Sequence, residues 1–209
     1  MKTVVRIQLA ASPEQTASLA DLQRVFADLC NVLSPIVRET HCWNRVGLHH
    51  LAYRVLRERF PQIGSQMICN AIYSVSRTSR IVYQKLDSPW NVGRRSNEPL
   101  PLIKYLANSP VYFDRHTLSL KNGRLSMYTL EGRLRFDINL SAEDEQRFHQ
   151  EKLYEIVLTR KAKGFQLAFF FSQTEDVVAE SEHIPAYFKV LGGSRRAMAS
   201  SVALLPAKG

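Results

Sequence analysis

The stretch TLSLKNGRLSMYTLEGRLRFDI, residues 117–138, decides the fold class. Its apolar residues recur at every second position: Leu118 and Leu120, then Leu125 and Met127, then Leu134, Phe136 and Ile138. A period of two belongs to strands with one buried face. Between the first two runs stands Asn122-Gly123, which tolerates the positive φ angles of a two-residue hairpin turn. Glu131-Gly132 marks a second turn. Further on, residues 152–160 and 165–171 read as another strand pair across Lys161-Ala162-Lys163-Gly164, with a short helix over 141–150 before them. The late half of the chain is therefore antiparallel sheet.

Upstream the period changes. Residues 2–9 alternate, with Val5, Ile7 and Leu9 on one side, which predicts a strand. Ser12-Pro13-Glu14-Gln15 supplies an N-cap serine, a proline at the first helical position and a capping-box glutamine. Leu19, Leu22, Phe26, Leu29 and Leu33 follow at helical spacing, and Pro35 is expected to kink or end that helix. A second helix is expected over 45–60, burying Leu48, Leu51, Val55, Leu56 and Phe60 before Pro61 stops it. A third starts near Gly64 and buries Ile68, Ala71, Ile72, Val75 and Val82. Residues 87–101, with Ser, Pro, Gly and Asn, read as a linker.

A lone N-terminal strand needs partners, and the only sheet lies after residue 100. The expected fold is thus α+β: a small β-barrel from residues 1–10 and 97–190, a three-helix insertion over 11–96, and a C-terminal tail over 191–209.

Composition narrows the function classes. The chain has 209 residues, 45% of them hydrophobic, enough for a proper core. It has no apolar run of membrane-spanning length, and its start lacks the apolar segment of a signal peptide, so no membrane partner and a cytoplasmic location are expected. Three widely spaced cysteines, Cys30, Cys42 and Cys69, fit neither a zinc ribbon nor a disulfide framework. The formal net charge is +9. Nine basic residues lie between Trp43 and Arg95 (Arg45, Arg54, Arg57, Arg59, Arg77, Arg80, Lys85, Arg94 and Arg95), opposed only by Glu58 and Asp87. Eight of the nine are arginine, whose planar fork suits phosphates and guanine edges.

The third helix carries a polar stripe, Gln66, Asn70, Tyr73, Arg77, Arg80 and Gln84, at alternating steps of four and three. It is expected to face outward, with the amides towards bases and the arginines on phosphates. No catalytic, metal or cofactor constellation is legible. His41, His49 and His50 lack a carboxylate at ligand spacing, Asp114 and Asp137 stand alone, and Gly192-Gly193-Ser194 is no phosphate loop. The expectation is a protein that is not an enzyme.

The order of strand, capped helix and arginine-rich stretch HHLAYRVLRERFPQIGSQMICNAIYSVSRTSR (49–80), then PVYFDRHTLSLKNGRLSMYTLEGRLRF (110–136) and YEIVLTRKAKGFQLAFFF (154–171), resembles the N-terminal part of TnpB, an RNA-guided nuclease of insertion sequences related to type V CRISPR effectors. The resemblance covers roughly residues 1–192. It implies an oligonucleotide-binding-like wedge barrel and a helical recognition insertion. Together these would grip a guide RNA and read a short motif beside a double-stranded DNA target, with Gln66 and Asn70 near the motif's bases. Family members continue from Val-Leu-Gly through an aliphatic residue to a first catalytic aspartate. Here Val190-Leu191-Gly192 leads into GSRRAMASSVALLPAKG (193–209), without that aspartate. The resemblance therefore implies a nuclease-deficient, truncated TnpB-like protein. The competing reading is a degenerate fragment acting only through association with a separately encoded nuclease half.

Overall fold

The computed structural model describes residues 2–94, 99–172 and 187–192. It opens with strand β1 (Lys2–Gln8) and continues into three helices, α1 (Pro13–Thr40), α2 (Arg45–Arg59) and α3 (Ser65–Tyr83). Strands β2 (Leu102–Tyr105), β3 (Val111–Phe113), β4 (Leu118–Lys121), β5 (Arg124–Thr129) and β6 (Gly132–Asp137) follow. Helix α4 (Ala142–Gln150) then precedes β7 (Lys152–Lys161), β8 (Gly164–Ser172) and β9 (Phe188–Leu191). The fold is mixed α+β, with α1, α2 and α3 between the first and second strands as the sequence predicts.

Among the described residues the strands do not close into a barrel. They form three separate antiparallel sheets with orders β1-β8-β7-β3, β2-β9 and β4-β5-β6. β1 finds its late partner in β8, from Lys2 opposite Ser172 to Gln8 opposite Gln166. The helices are built into this scaffold: α1 packs on β2 and α3 on β3. One continuous core runs from Leu19, Phe26 and Leu33 of α1 through Ile68 and Val75 of α3 to Leu167, Phe169 and Phe171 of β8. Helical side chains thus supply interior contacts that a closed barrel would have to provide across its own axis. α4 covers part of β8, its Phe148 ring lying 5.1 Å from that of Phe169 and 4.9 Å from that of Phe171.

Local signals held where the chemistry was local. The Ser12 side chain accepts from the Gln15 backbone N–H and the Gln15 side chain accepts from the Ser12 N–H, completing the capping box. Asn122 and Gly123 take φ of 50° and 69° in the β4–β5 turn. A Cβ on Gly123 would also sit 3.1 Å from the Ile138 carbonyl oxygen. Pro35, however, lies inside α1 and does not end it. Leu33 and Val37 on either side of it are fully buried, and that burial offsets the hydrogen bond the proline cannot donate. On α2 the buried side is Leu48, Ala52 and Leu56, whereas Leu51 and Val55 are both 47% exposed, contrary to expectation. The expected linker is partly folded. The Asn91 side chain donates to the Gln84 and Lys85 carbonyls at the end of α3, and the Ser88 hydroxyl donates to Val82 O.

Strands β2 and β9 pair with Ile103 opposite Val190 and Tyr105 opposite Phe188. α1 grips this pair: the Asn31 amide donates to the Tyr105 carbonyl and its oxygen accepts from the Tyr105 N–H. Among the described residues, no helix is long and apolar enough to cross a membrane.

Candidate nucleic-acid interface

The polar stripe of α3 is mostly an internal seam. Asn70 is buried at 5% exposure, and its amide donates to the Thr117 hydroxyl at 3.3 Å. Gln66 donates to the Asp114 carboxylate, which also accepts from the His116 and Thr117 backbone N–H groups. The two amides therefore pin the β3–β4 turn to the helix. One turn further on, the Tyr73 hydroxyl donates to Glu155 at 2.9 Å. Arg77 meets the same carboxylate at 3.0 Å, donates to the Tyr112 hydroxyl at 3.4 Å and lies 5.9 Å from the centre of that ring. Burial first, and the Glu155 carboxylate second, push the Tyr73 hydroxyl well above the usual range, while Arg77 and Arg80 oppose the shift; the phenol stays protonated as a donor.

This corrects the expectation of an outward stripe. α3 is buried on nearly every side, so helical spacing alone could not tell a wet face from a seam facing β3 and β7. Of the stripe, only Arg80 and the C-cap Gln84 at the far end are exposed. Gln66→Ala and Asn70→Ala are consequently expected to lower unfolding free energy by roughly 0.5–1.5 kcal/mol each, because each removes a hydrogen bond that ties the β3–β4 turn to α3. Thermal unfolding measures that loss, and competition against random duplex DNA measures sequence preference. Lost preference at an unchanged melting temperature would restore the amides as base readers.

The remaining basic residues divide by partner. Arg45 is exposed at the start of α2, its guanidinium 5.4 Å from the Tyr73 ring centre. Arg54 pairs with Glu58 at 3.0 Å, but the two side chains are 91% and 67% exposed, so the pair is worth little. Arg57 donates to the Ile63 carbonyl and so shapes the α2–α3 turn. Lys85 lies 3.1 Å from Asp87. Arg59, Arg80 and Arg94 are exposed. Arg95 lies outside the described residues. The structure thus sets Arg45 against the Tyr73 ring, leaves Arg80 exposed in the last turn of α3, and ranges Arg54 and Arg59 along α2.

A further set of cations lies outside the arginine-rich helical stretch. On the β4-β5-β6 sheet, Lys121, Arg124, Arg133 and Arg135 all face solvent. They belong to runs read only for their apolar alternation; the polar positions of the same runs were the available signal. Tyr128 joins this sheet to the helices, its hydroxyl accepting from the Gly64 N–H at 3.1 Å. A side chain on Gly64 would meet the Tyr128 ring at 3.3 Å, which explains a glycine at the mouth of α3.

Burial pushes the Cys30 thiol up to about 12 and raises that of Cys69, which removes both as ready nucleophiles. Among the described residues no group of three or more His, Cys, Asp or Glu gathers at metal-binding distance. Comparison of the chain with protein-family models finds no match, and comparison with curated proteins finds none either.

Proposed function

We propose that this protein binds nucleic acid, holding it chiefly through phosphate contacts from the exposed arginines of α2 and the end of α3. The observation that carries the reading is that Arg45, Arg59 and Arg80 project into solvent with no carboxylate at ion-pair distance among the described residues. A basic surface left uncompensated gains affinity for polyanions by releasing their counterions. Likeness to the wedge and recognition parts of TnpB adds the finer reading. In it the partner is a structured guide RNA, joined by duplex DNA carrying a short motif, and the chain binds without cutting. Within that reading Gln66 and Asn70 set the shape of the β3–β4 turn and do not meet bases.

Protein purified at low salt is expected to carry RNA, and sequencing that RNA identifies the partner. A single enriched structured species supports the guide-RNA reading, and a mixed cellular pool supports general phosphate binding alone. Protein free of RNA and without RNA affinity contradicts both. The second reading, association with a separately encoded nuclease half, is favoured by the exposed apolar side chains Val46, Leu51 and Val55 on α2. It requires the same preparation to hold a protein partner and no RNA.

A further inference from the structure

We propose that the outer face of the β4-β5-β6 sheet is a second contact surface, one that takes the phosphodiester backbone of a single-stranded nucleic acid. The inference rests on the nucleic-acid reading but uses none of its helical residues.

Register defines the face. Lys121 stands opposite Arg124, Arg124 opposite Asp137, Ser126 opposite Arg135, and Tyr128 opposite Arg133. Residues paired across strands point to the same side, so these side chains share one face. The alternate positions Leu125, Met127 and Phe136 are buried on the other. At the register-paired positions four cations therefore stand with one carboxylate, Asp137, while Glu131 lies in the β5–β6 turn beside Arg133. That acid lies 3.3 Å from Arg124, but the side chains are 68% and 87% exposed, so the pair is easily exchanged for phosphate.

Arg133 is held in place without losing its charge. Its Nε donates to the Ser126 hydroxyl and Nη2 to the Ser126 carbonyl, each at 2.9 Å, and Nη1 reaches the His116 carbonyl at 3.4 Å. All three acceptors are neutral, so the guanidinium is held in place without an ion-pair partner among them, and fixing it beforehand lowers the ordering cost of binding. Lys121 and Arg135 are exposed, with no carboxylate at ion-pair distance among the described residues. Same-face residues along a strand repeat at about 6.6–6.8 Å. Arg133 and Arg135 share that repeat, which is close to the step between phosphates of an extended polynucleotide strand.

Charged residues on the edge strands β4 and β6 also serve to block sheet-to-sheet aggregation. That role makes a different prediction.

The test titrates labelled single-stranded oligouridylate into wild-type protein, Lys121→Gln/Arg135→Gln and Arg54→Gln/Arg59→Gln, with thermal unfolding of each as a control. The sheet-face double variant is expected to melt like wild type and to bind roughly tenfold more weakly. Its salt slope should be shallower by about 1.4, one increment for each lost phosphate contact. Lys121→Glu/Arg135→Glu should weaken binding further. Wild-type affinity in both sheet-face variants, with the α2 variant weakened, overturns this inference alone and leaves the charges as guards against aggregation. Absence of salt-dependent binding by wild-type protein overturns the nucleic-acid reading itself.

Discussion

Replacing Arg77 by methionine is expected to lower the free energy of unfolding by about 3–5 kcal/mol, the cost of removing one member of a buried ion pair. The Arg77 side chain is 14% exposed and that of Glu155 is 4% exposed, so the carboxylate would keep its burial after losing this cation. Methionine retains the aliphatic stem and isolates the charge. The knot spans three elements, Tyr73 and Arg77 from α3, Tyr112 from β3 and Glu155 from β7, so its loss loosens the helix from the sheet. The paired replacement Arg77→Met/Glu155→Gln should recover much of the loss, because no charge is then left buried and an amide oxygen can still accept from the Tyr73 hydroxyl. Urea unfolding of the single and double variants measures both. A single variant within about 1 kcal/mol of wild type would show that the seam contributes no more than a surface pair.

The second large effect belongs to the exposed arginines. Converting Arg45, Arg54, Arg59 and Arg80 together to glutamine should flatten the log–log salt dependence of single-stranded RNA binding by about 2.8, at roughly 0.7 per phosphate contact. Stability should scarcely move. Arg54 loses only an exposed pair with Glu58, and Arg45 loses a stacking contact on Tyr73 worth about 0.5–1 kcal/mol. Weakened binding at an unchanged slope would mean that these side chains act by shape and not by charge.

How much of this was legible from residue order depends on the reach of each interaction. The Ser12 cap, the Asn122-Gly123 turn and the alternation of β4 to β6 are decided within a few residues, and they read correctly. Strands β2, β3 and β9 span four, three and four residues, too short for a period to declare itself. They exist because distant groups hold them, as when the Asn31 amide clasps both backbone groups of Tyr105. The separation into three sheets is likewise a matter of how α1 and α3 pack, which no local pattern encodes.

The candidate site divided in the same way. Local excess of arginine around α2 was visible as composition, and Arg45, Arg54 and Arg59 are indeed exposed. The stripe on α3 was visible as spacing, but its polar character serves Asp114, Thr117 and Glu155, partners 48, 47 and 82 residues from Gln66, Asn70 and Tyr73 respectively. A helix with apolar residues on one side and polar ones on the other looks the same whether water or a satisfied polar seam lies opposite. The cations of the β4-β5-β6 face are hidden in the sequence for the converse reason. In sequence they are the polar half of an alternating pattern, and only strand register brings them onto one surface.

The most direct test of nucleic-acid binding is the affinity of nuclease-treated wild-type protein for single-stranded RNA across a range of salt concentrations. With five or six phosphates contacted, the logarithm of the affinity should fall against the logarithm of salt with a slope of about −4. A flat response, or no measurable affinity at low salt, would contradict the account.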